Sequence, residues 1–277
     1  MNILQALVLG IVQGLTEFLP VSSSAHLVII PALLGISSNV AFDVLLHIGT
    51  LLAVVGYFWK DILAVIKAFF LSLADIPAKR FGRGLKEDPF KRLAWLIIVA
   101  SLPAAALGFL FKRFFEGLFQ SVSAVAALLI VTGVILWLAE KARRGTKHAL
   151  EMTWSDGLII GLAQAAAIAP GISRSGATIG AGLFLGLERK MAARFSFLLA
   201  IPAILGATVL HLKDISAGFN LSPGVFLAGL ISSAACGWLA IRFLLNIIQK
   251  RSLRMFAYYC WLAGAVVLAL YFLGAVR

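Results

Sequence analysis

Charge is what this sequence lacks. Only 13% of its 277 residues are Asp, Glu, Lys or Arg, and 61% are hydrophobic. A soluble domain carries about 25% charged residues, and half that supply cannot cover a surface facing water. A polytopic membrane protein follows. Cysteine is limited to Cys236 and Cys260. Both sit in apolar runs without metal-ligand spacing, so they read as packing residues and say nothing of redox compartment. The stretch MNILQALVLGIVQG has no basic region and no small-x-small cleavage pattern, so it is not expected to be a removable signal. Of the few charges, the acidic ones are the scarcer, 12 against 24 basic residues.

That basic excess points to the membrane rather than to nucleic acid. Lys79, Arg80, Arg83, Lys86, Lys91 and Arg92 fall in one connection, and Lys141, Arg143, Arg144 and Lys147 in another. Short basic connections between apolar runs follow the positive-inside rule and suit anionic lipid. No aromatic-interleaved basic face offers bases a stacking platform.

Uncharged runs long enough to cross about 30 Å of hydrocarbon occupy 93–111, 117–139, 195–212, 215–241 and 255–276, with a shorter one over 44–59 that extends back to 41. Two further apolar regions, 3–35 and 157–187, are interrupted by Pro, Gly, Ser and charge. Such segments are tolerated at membrane depth as re-entrant hairpins buried in protein. They also resemble each other: GIVQGLTEFLPVSSS from Gly10 aligns with GLAQAAAIAPGISRS from Gly161, pairing Gln13 with Gln164 and Pro20 with Pro170. The chain therefore reads as one membrane domain, 1–277, made of repeat halves 1–140 and 152–277, with basic cytoplasmic loops at 60–92 and 140–156. Three full spans in the first half invert the second. The expected fold is an all-α integral membrane protein with six transmembrane helices and two re-entrant helical hairpins in an inverted-topology repeat. Loop charge agrees, since 18 of the 24 Lys and Arg residues fall on one side, which is assigned to the cytoplasm.

Within the hairpins, Glu17 and Arg174 are expensive residues, each costing about 2.5–3.5 kcal/mol at the centre of a membrane helix. A structural ion pair between the halves would explain the charges alone. It would not explain QGLTEFLPVSSSAH (13–26) around the acid and PGISRSGAT (170–178) around the base. The second motif suits an anion: Gly171 and Gly176 permit tight turns, Ser173, Ser175 and Thr178 add donors, and Arg174 grips phosphate with two parallel bonds. The first holds the parts of phosphoryl transfer: Ser23 as nucleophile and His26, three residues on, as base. Glu17 either orients His26 or holds a divalent metal. Ser22 and Ser24 serve as phosphate donors or helix caps. His47, with Asp43 one turn earlier, reads as a brace. His148 and His211 read as solvated or interfacial, and Arg242 as snorkelling to the cytoplasmic surface. Transport of a phosphate-headed lipid is the rival class, because broken helices in inverted repeats also mark transporters.

These two motifs, about 150 residues apart, resemble the bacterial undecaprenyl-diphosphate phosphatases of the BacA/UppP family, over essentially the whole chain. The resemblance implies hydrolysis of undecaprenyl diphosphate to undecaprenyl phosphate at the outer face of the cytoplasmic membrane. That reaction recycles the lipid carrier for peptidoglycan and other envelope glycans and confers bacitracin resistance. It implies Ser23 as nucleophile, His26 as its assistant and Arg174 on the phosphate. The family's acidic motif, (Glu or Gln)-x-x-x-Glu, falls on Gln13 and Glu17, which makes these the expected ligands of a divalent metal, Mg2+ or Ca2+. The family's PVSSTGH stands here as PVSSSAH: Ser24 keeps a hydroxyl in place of threonine, and Ala25 replaces a glycine. The expected partners are the lipid substrate, the bilayer and, as a candidate, a second copy in a homodimer.

Overall fold

Polar caps at the ends of apolar runs set where several of the helices begin. The computed structural model describes residues 1–36, 40–142, 145–211 and 222–276, and among these it contains thirteen α-helices and no strand. They are α1 (Ile3–Phe18), α2 (Ser23–Leu34), α3 (Val40–Tyr57), α4 (Trp59–Ala74), α5 (Phe81–Glu87), α6 (Pro89–Leu110), α7 (Lys112–Phe119), α8 (Val122–Lys141), α9 (Trp154–Ala166), α10 (Arg174–Phe184), α11 (Arg189–Leu210), α12 (Pro223–Lys250) and α13 (Arg254–Phe272). Asp88 starts α6 by accepting from the Phe90 and Lys91 amides ahead of Pro89, whose missing N–H is an orphan at that position anyway. Ser121, Thr153 and Ser222 cap α8, α9 and α12 in the same way.

Six helices, α3, α6, α8, α11, α12 and α13, are long and apolar enough to cross a membrane, so the chain is a multi-pass membrane protein. Their outward faces carry large apolar side chains, such as Leu102, Leu239 and Leu262, as lipid contact requires. Three boundaries depart from the sequence reading. The basic connection over 60–92 is largely helical: α4 turns Ala68 and Ser72 inward, and Trp95 Nε1 donates to Ser72 Oγ at 2.9 Å. The span expected from 117 begins at Val122 because Ser121 caps there, and α7 precedes it as a separate helix with no buried residue. Helix α12 continues past 241 to Lys250, and the Arg242 guanidinium lies 5.7 Å from the Trp238 ring. Arg143, Arg144, Lys213 and Arg277, which enter the loop-charge argument, lie outside the described residues.

Packing crosses between the two halves. Helix α1 lies along α12 and α9 along α6, while α3 packs on α12 and α8 on α13. The α1–α12 seam exists because its residues are small: a Cβ on Gly14 would come 2.6 Å from Ser233 O and 2.7 Å from Cys236 Cβ. Close approach of this kind drives helix association where lipid removes the hydrophobic incentive. At the basic end, Arg189 pairs with Glu140 at 2.6 Å and Arg194 grips both carboxylate oxygens of Asp61 at 2.7 and 2.9 Å, tying α11 to α8 and α4.

Candidate active site

Helices α1 and α2 form one helix–turn–helix pair, and α9 and α10 form another. Their tips are built alike. Ser22 Oγ caps α2 by accepting from the Ala25 amide, and Ser173 Oγ caps α10 by accepting from the Gly176 amide. Each capping hydroxyl also meets a second serine, Ser24 at 3.1 Å and Ser175 at 3.2 Å. The tips touch: the Gly171 amide donates to Ser24 Oγ at 3.4 Å, and Ser175 Oγ donates to Leu19 O at 3.1 Å. Two helix amino-termini, each the positive end of its dipole, thus meet at one junction.

Turn backbone far from water needs partners, and side chains supply them. Thr132 on α8 is buried and bridges the second turn, donating to Gly171 O at 2.8 Å and accepting from the Ser173 amide at 2.9 Å. Gly171 has φ 106° and its carbonyl is the one Thr132 holds. Ser22 has φ 65°, rare for a residue with a side chain. His26 pins it, with the ring Nδ1 2.7 Å from Ser22 O.

Glu17 is the hub. Its side chain is 5% exposed. Oε1 accepts from Arg174 Nη2 at 2.8 Å, and Oε2 accepts from Ser23 Oγ at 2.6 Å and Gln13 Nε2 at 2.9 Å. His47 Nε2 stands 3.8 Å from the same Oε2. Two groups here are buried without a partner among the described residues: Arg174 Nη1, a donor, and Gln13 Oε1, an oxygen acceptor. Gln164, which the sequence alignment pairs with Gln13, is buried with both amide atoms unpartnered among the described residues. Thr178 Oγ1 bonds Arg174 O and Ser196 Oγ, so it steadies α10 rather than facing the cluster.

Acid and base therefore meet across the halves as the sequence suggests, but the histidine does not sit where spacing placed it. His26 lies one turn from Ser23, yet both ring nitrogens are occupied, Nδ1 by Ser22 O and Nε2 by the Tyr259 hydroxyl at 2.6 Å. It bonds neither Ser23 nor Glu17. Nor is His47 a brace on the Asp43 carboxylate: its Nδ1 meets the Asp43 backbone carbonyl at 2.7 Å, which turns Nε2 towards Glu17. Tyr259, one of two adjacent tyrosines, and Thr132 escaped the sequence reading because each lies inside a long apolar run.

A cavity of about 880 Å³ opens beside this cluster, walled by α2, α3, α7 and α11. Most of its wall is apolar, including Leu27, Val28, Pro31, Val44 and Ile204, and Ser24 and His47 bring it to the hub. The sequence matches the family described as Bacitracin resistance protein BacA over residues 6–266. The chain belongs to the BacA family. It is 48% identical over 277 residues to the undecaprenyl-diphosphatase of Methanobrevibacter smithii, covering 100% of this chain and 99% of that one. It is 45% identical to the undecaprenyl-diphosphatase of Carboxydothermus hydrogenoformans, covering 98% of each. By name, both relatives act on undecaprenyl diphosphate.

Proposed function

We propose that this protein hydrolyses undecaprenyl diphosphate to undecaprenyl phosphate and inorganic phosphate, recycling the lipid carrier of envelope glycan synthesis. One observation carries the reading: a serine hydroxyl, a carboxylate and an arginine share a single hydrogen-bonded cluster at two facing helix amino-termini, beside an apolar cavity. The terminal phosphate takes Arg174, whose Nη1 lacks a partner among the described residues, while the Ser173 and Ser175 hydroxyls and the Gly176 amide, bonded to one another and to Leu19 O, hold the turn beneath it. Ser23 Oγ attacks the terminal phosphorus in line and passes its proton to Glu17 Oε2, while the bond to the bridging oxygen breaks and prenyl phosphate leaves. Water then attacks the phosphoserine, Glu17 relays a proton back to Ser23 Oγ, and phosphate departs. His26, held between Ser22 and Tyr259, fixes the turn that aims Ser23.

The donors present fit an oxygen-seeking cation. Gln13 Oε1 is a buried oxygen without a partner, one turn from the Glu17 carboxylate. Among the described residues no cluster of three or more His, Cys, Asp or Glu forms, so the oxygens of Gln13 and Glu17 are the ones the site offers. Gln13 and Glu17 would hold it, and it would supply charge neutralisation for the diphosphate.

The two helix pairs act as re-entrant hairpins of an inverted repeat, with the basic face in the cytoplasm and the cavity open to the outside. Three features support this. Gln13 and Gln164, Ser22 and Ser173, and Gly35 and Gly186 are equivalently placed, each pair 151 residues apart. Each hairpin packs its first helix on a span of the other half. The tip carbonyls of Leu19, Ser22 and Gly171 are all met by side chains. A carrier that only moved the lipid would have no use for a serine bonded to a carboxylate, so hydrolysis employs more of the site than transport does.

The test is phosphate release from a long prenyl diphosphate by detergent-purified protein, with Ser23→Ala alongside. Wild type should turn over and Ser23→Ala should lose at least about 10²-fold. No release with any divalent metal added would sink the activity, and near wild-type turnover in Ser23→Ala would replace serine attack with direct attack by water.

A further inference from the structure

We infer that His47 is a second phosphate contact, binding the prenyl-linked phosphate while Arg174 binds the terminal one. The inference rests on the diphosphatase reading and concerns which end of the diphosphate lies where. A prenyl diphosphate is a one-ended molecule: its tail must run into apolar surroundings, and its terminal phosphate must sit farthest from them. The apolar surroundings here are the cavity between α2, α3 and α11. Arg174 and Ser23 do not line it, whereas Ser24 and His47 do. Moving inward along the cavity, a head group therefore meets His47 and Ser24 before it reaches Arg174.

The histidine is aimed for that contact. Nδ1 lies 2.7 Å from the Asp43 carbonyl, which can only accept, so Nδ1 carries a proton and the ring plane is fixed. Nε2 stands 3.8 Å from Glu17 Oε2, outside hydrogen-bond range, on a side chain that lines the cavity, so it is left to bond a phosphate oxygen that arrives from the cavity side. The side chain is 32% exposed in a region where Glu17 is 5% exposed, so it meets whatever fills the cavity. Nε2 pairs with phosphate in either charge state, accepting from a phosphate O–H when neutral and donating when protonated. With the terminal phosphorus at Ser23 and the prenyl-linked phosphate at His47, the bridging oxygen lies between them, which places the leaving group opposite the attacking hydroxyl.

The two products separate the two contacts, because each carries one of the phosphates. Binding of farnesyl phosphate and of orthophosphate to the detergent-purified protein is measured by titration calorimetry, for wild type, His47→Ala, His47→Gln and Arg174→Lys. Loss of a hydrogen bond to a charged group should weaken farnesyl phosphate binding about tenfold or more in His47→Ala and leave orthophosphate within about twofold. His47→Gln, which keeps a donor, should recover most of the loss. Arg174→Lys should show the reverse preference. The proposal is overturned if His47→Ala weakens both products equally, weakens only orthophosphate, or changes neither. Size-exclusion profiles matched to wild type identify a folded variant, and His47→Gln carries the test if the alanine fails to fold. Because binding is read directly, an absence of turnover in wild type would count against the diphosphatase reading and leave this result standing.

Discussion

Removing Arg174 alone, and then together with the charge on Glu17, distinguishes a structural ion pair from a catalytic one. The pair is buried, 15% and 5% exposed, and bonded at 2.8 Å across the two halves. Deleting one partner of a buried pair costs about 3–5 kcal/mol, because the survivor is left charged and uncompensated. In Arg174→Ala, Glu17 keeps the Ser23 and Gln13 donors at 2.6 and 2.9 Å, so the lower end applies, about 3 kcal/mol. For a chain of this size that corresponds to a melting temperature lower by about 6–12 °C. Glu17→Gln should lose a similar amount, since it leaves a guanidinium whose Nη1 is already unpartnered.

The double variant Glu17→Gln/Arg174→Ala buries no charge, and its amide can still accept from Ser23. It should be more stable than the sum of the single variants by about 2 kcal/mol. The free thiols of Cys236, half-buried, and Cys260, buried, make a thiol-reactive dye a suitable reporter of unfolding in detergent. Phosphate release should fall at least about 10²-fold in all three variants, as expected when a donor to developing charge is removed. Recovery of turnover along with stability in the double variant would refute the catalytic assignment. Additive stabilities, with no coupling, would refute the buried pair itself.

Three further outcomes follow from named contacts. Thr132→Val removes the hydroxyl between Gly171 O and the Ser173 amide and orphans both, so it should destabilise by about 2–4 kcal/mol and lower turnover, while Thr132→Ser should restore both; thermal unfolding and phosphate release check this. Gly14→Val drives a branched side chain into Ser233 O and Cys236 Cβ and should cost at least about 2 kcal/mol, measured as the loss of folded protein on size exclusion after mild heating. Gln13→Glu sets a second carboxylate one turn from Glu17 and should lower the half-saturating Mg2+ concentration about tenfold after chelation; an unchanged metal requirement would argue against Gln13 as a ligand.

How much of this site could be read from the chain depended on the kind of signal. The two breaks were legible because Pro20, the serines and Glu17 interrupt an otherwise apolar run, and the structure folds each break into a helix–turn–helix pair. The Glu17–Arg174 pairing was legible because each charge stands inside an apolar run, where burying it alone is too costly. Partners were not legible, since a local pattern names the group in need and not the group that answers. His26 looked as if it served Ser23 three residues away, but its ring is held by Tyr259, 233 positions on. His47 looked tied to Asp43 by its spacing, but that spacing served the backbone carbonyl and freed the other nitrogen. Thr132 is the hardest case. A lone threonine in a membrane helix ordinarily bonds a carbonyl one turn back, as Thr16 and Thr208 do here, and the sequence marks Thr132 no differently. What sets it apart is the second hairpin's turn, brought against α8 by the fold, with a carbonyl and an amide that water cannot reach. The composition of these helix pairs announces that buried backbone and charge must be compensated, and only the crossed packing of α1 on α12 and α9 on α6 decides which residue does it.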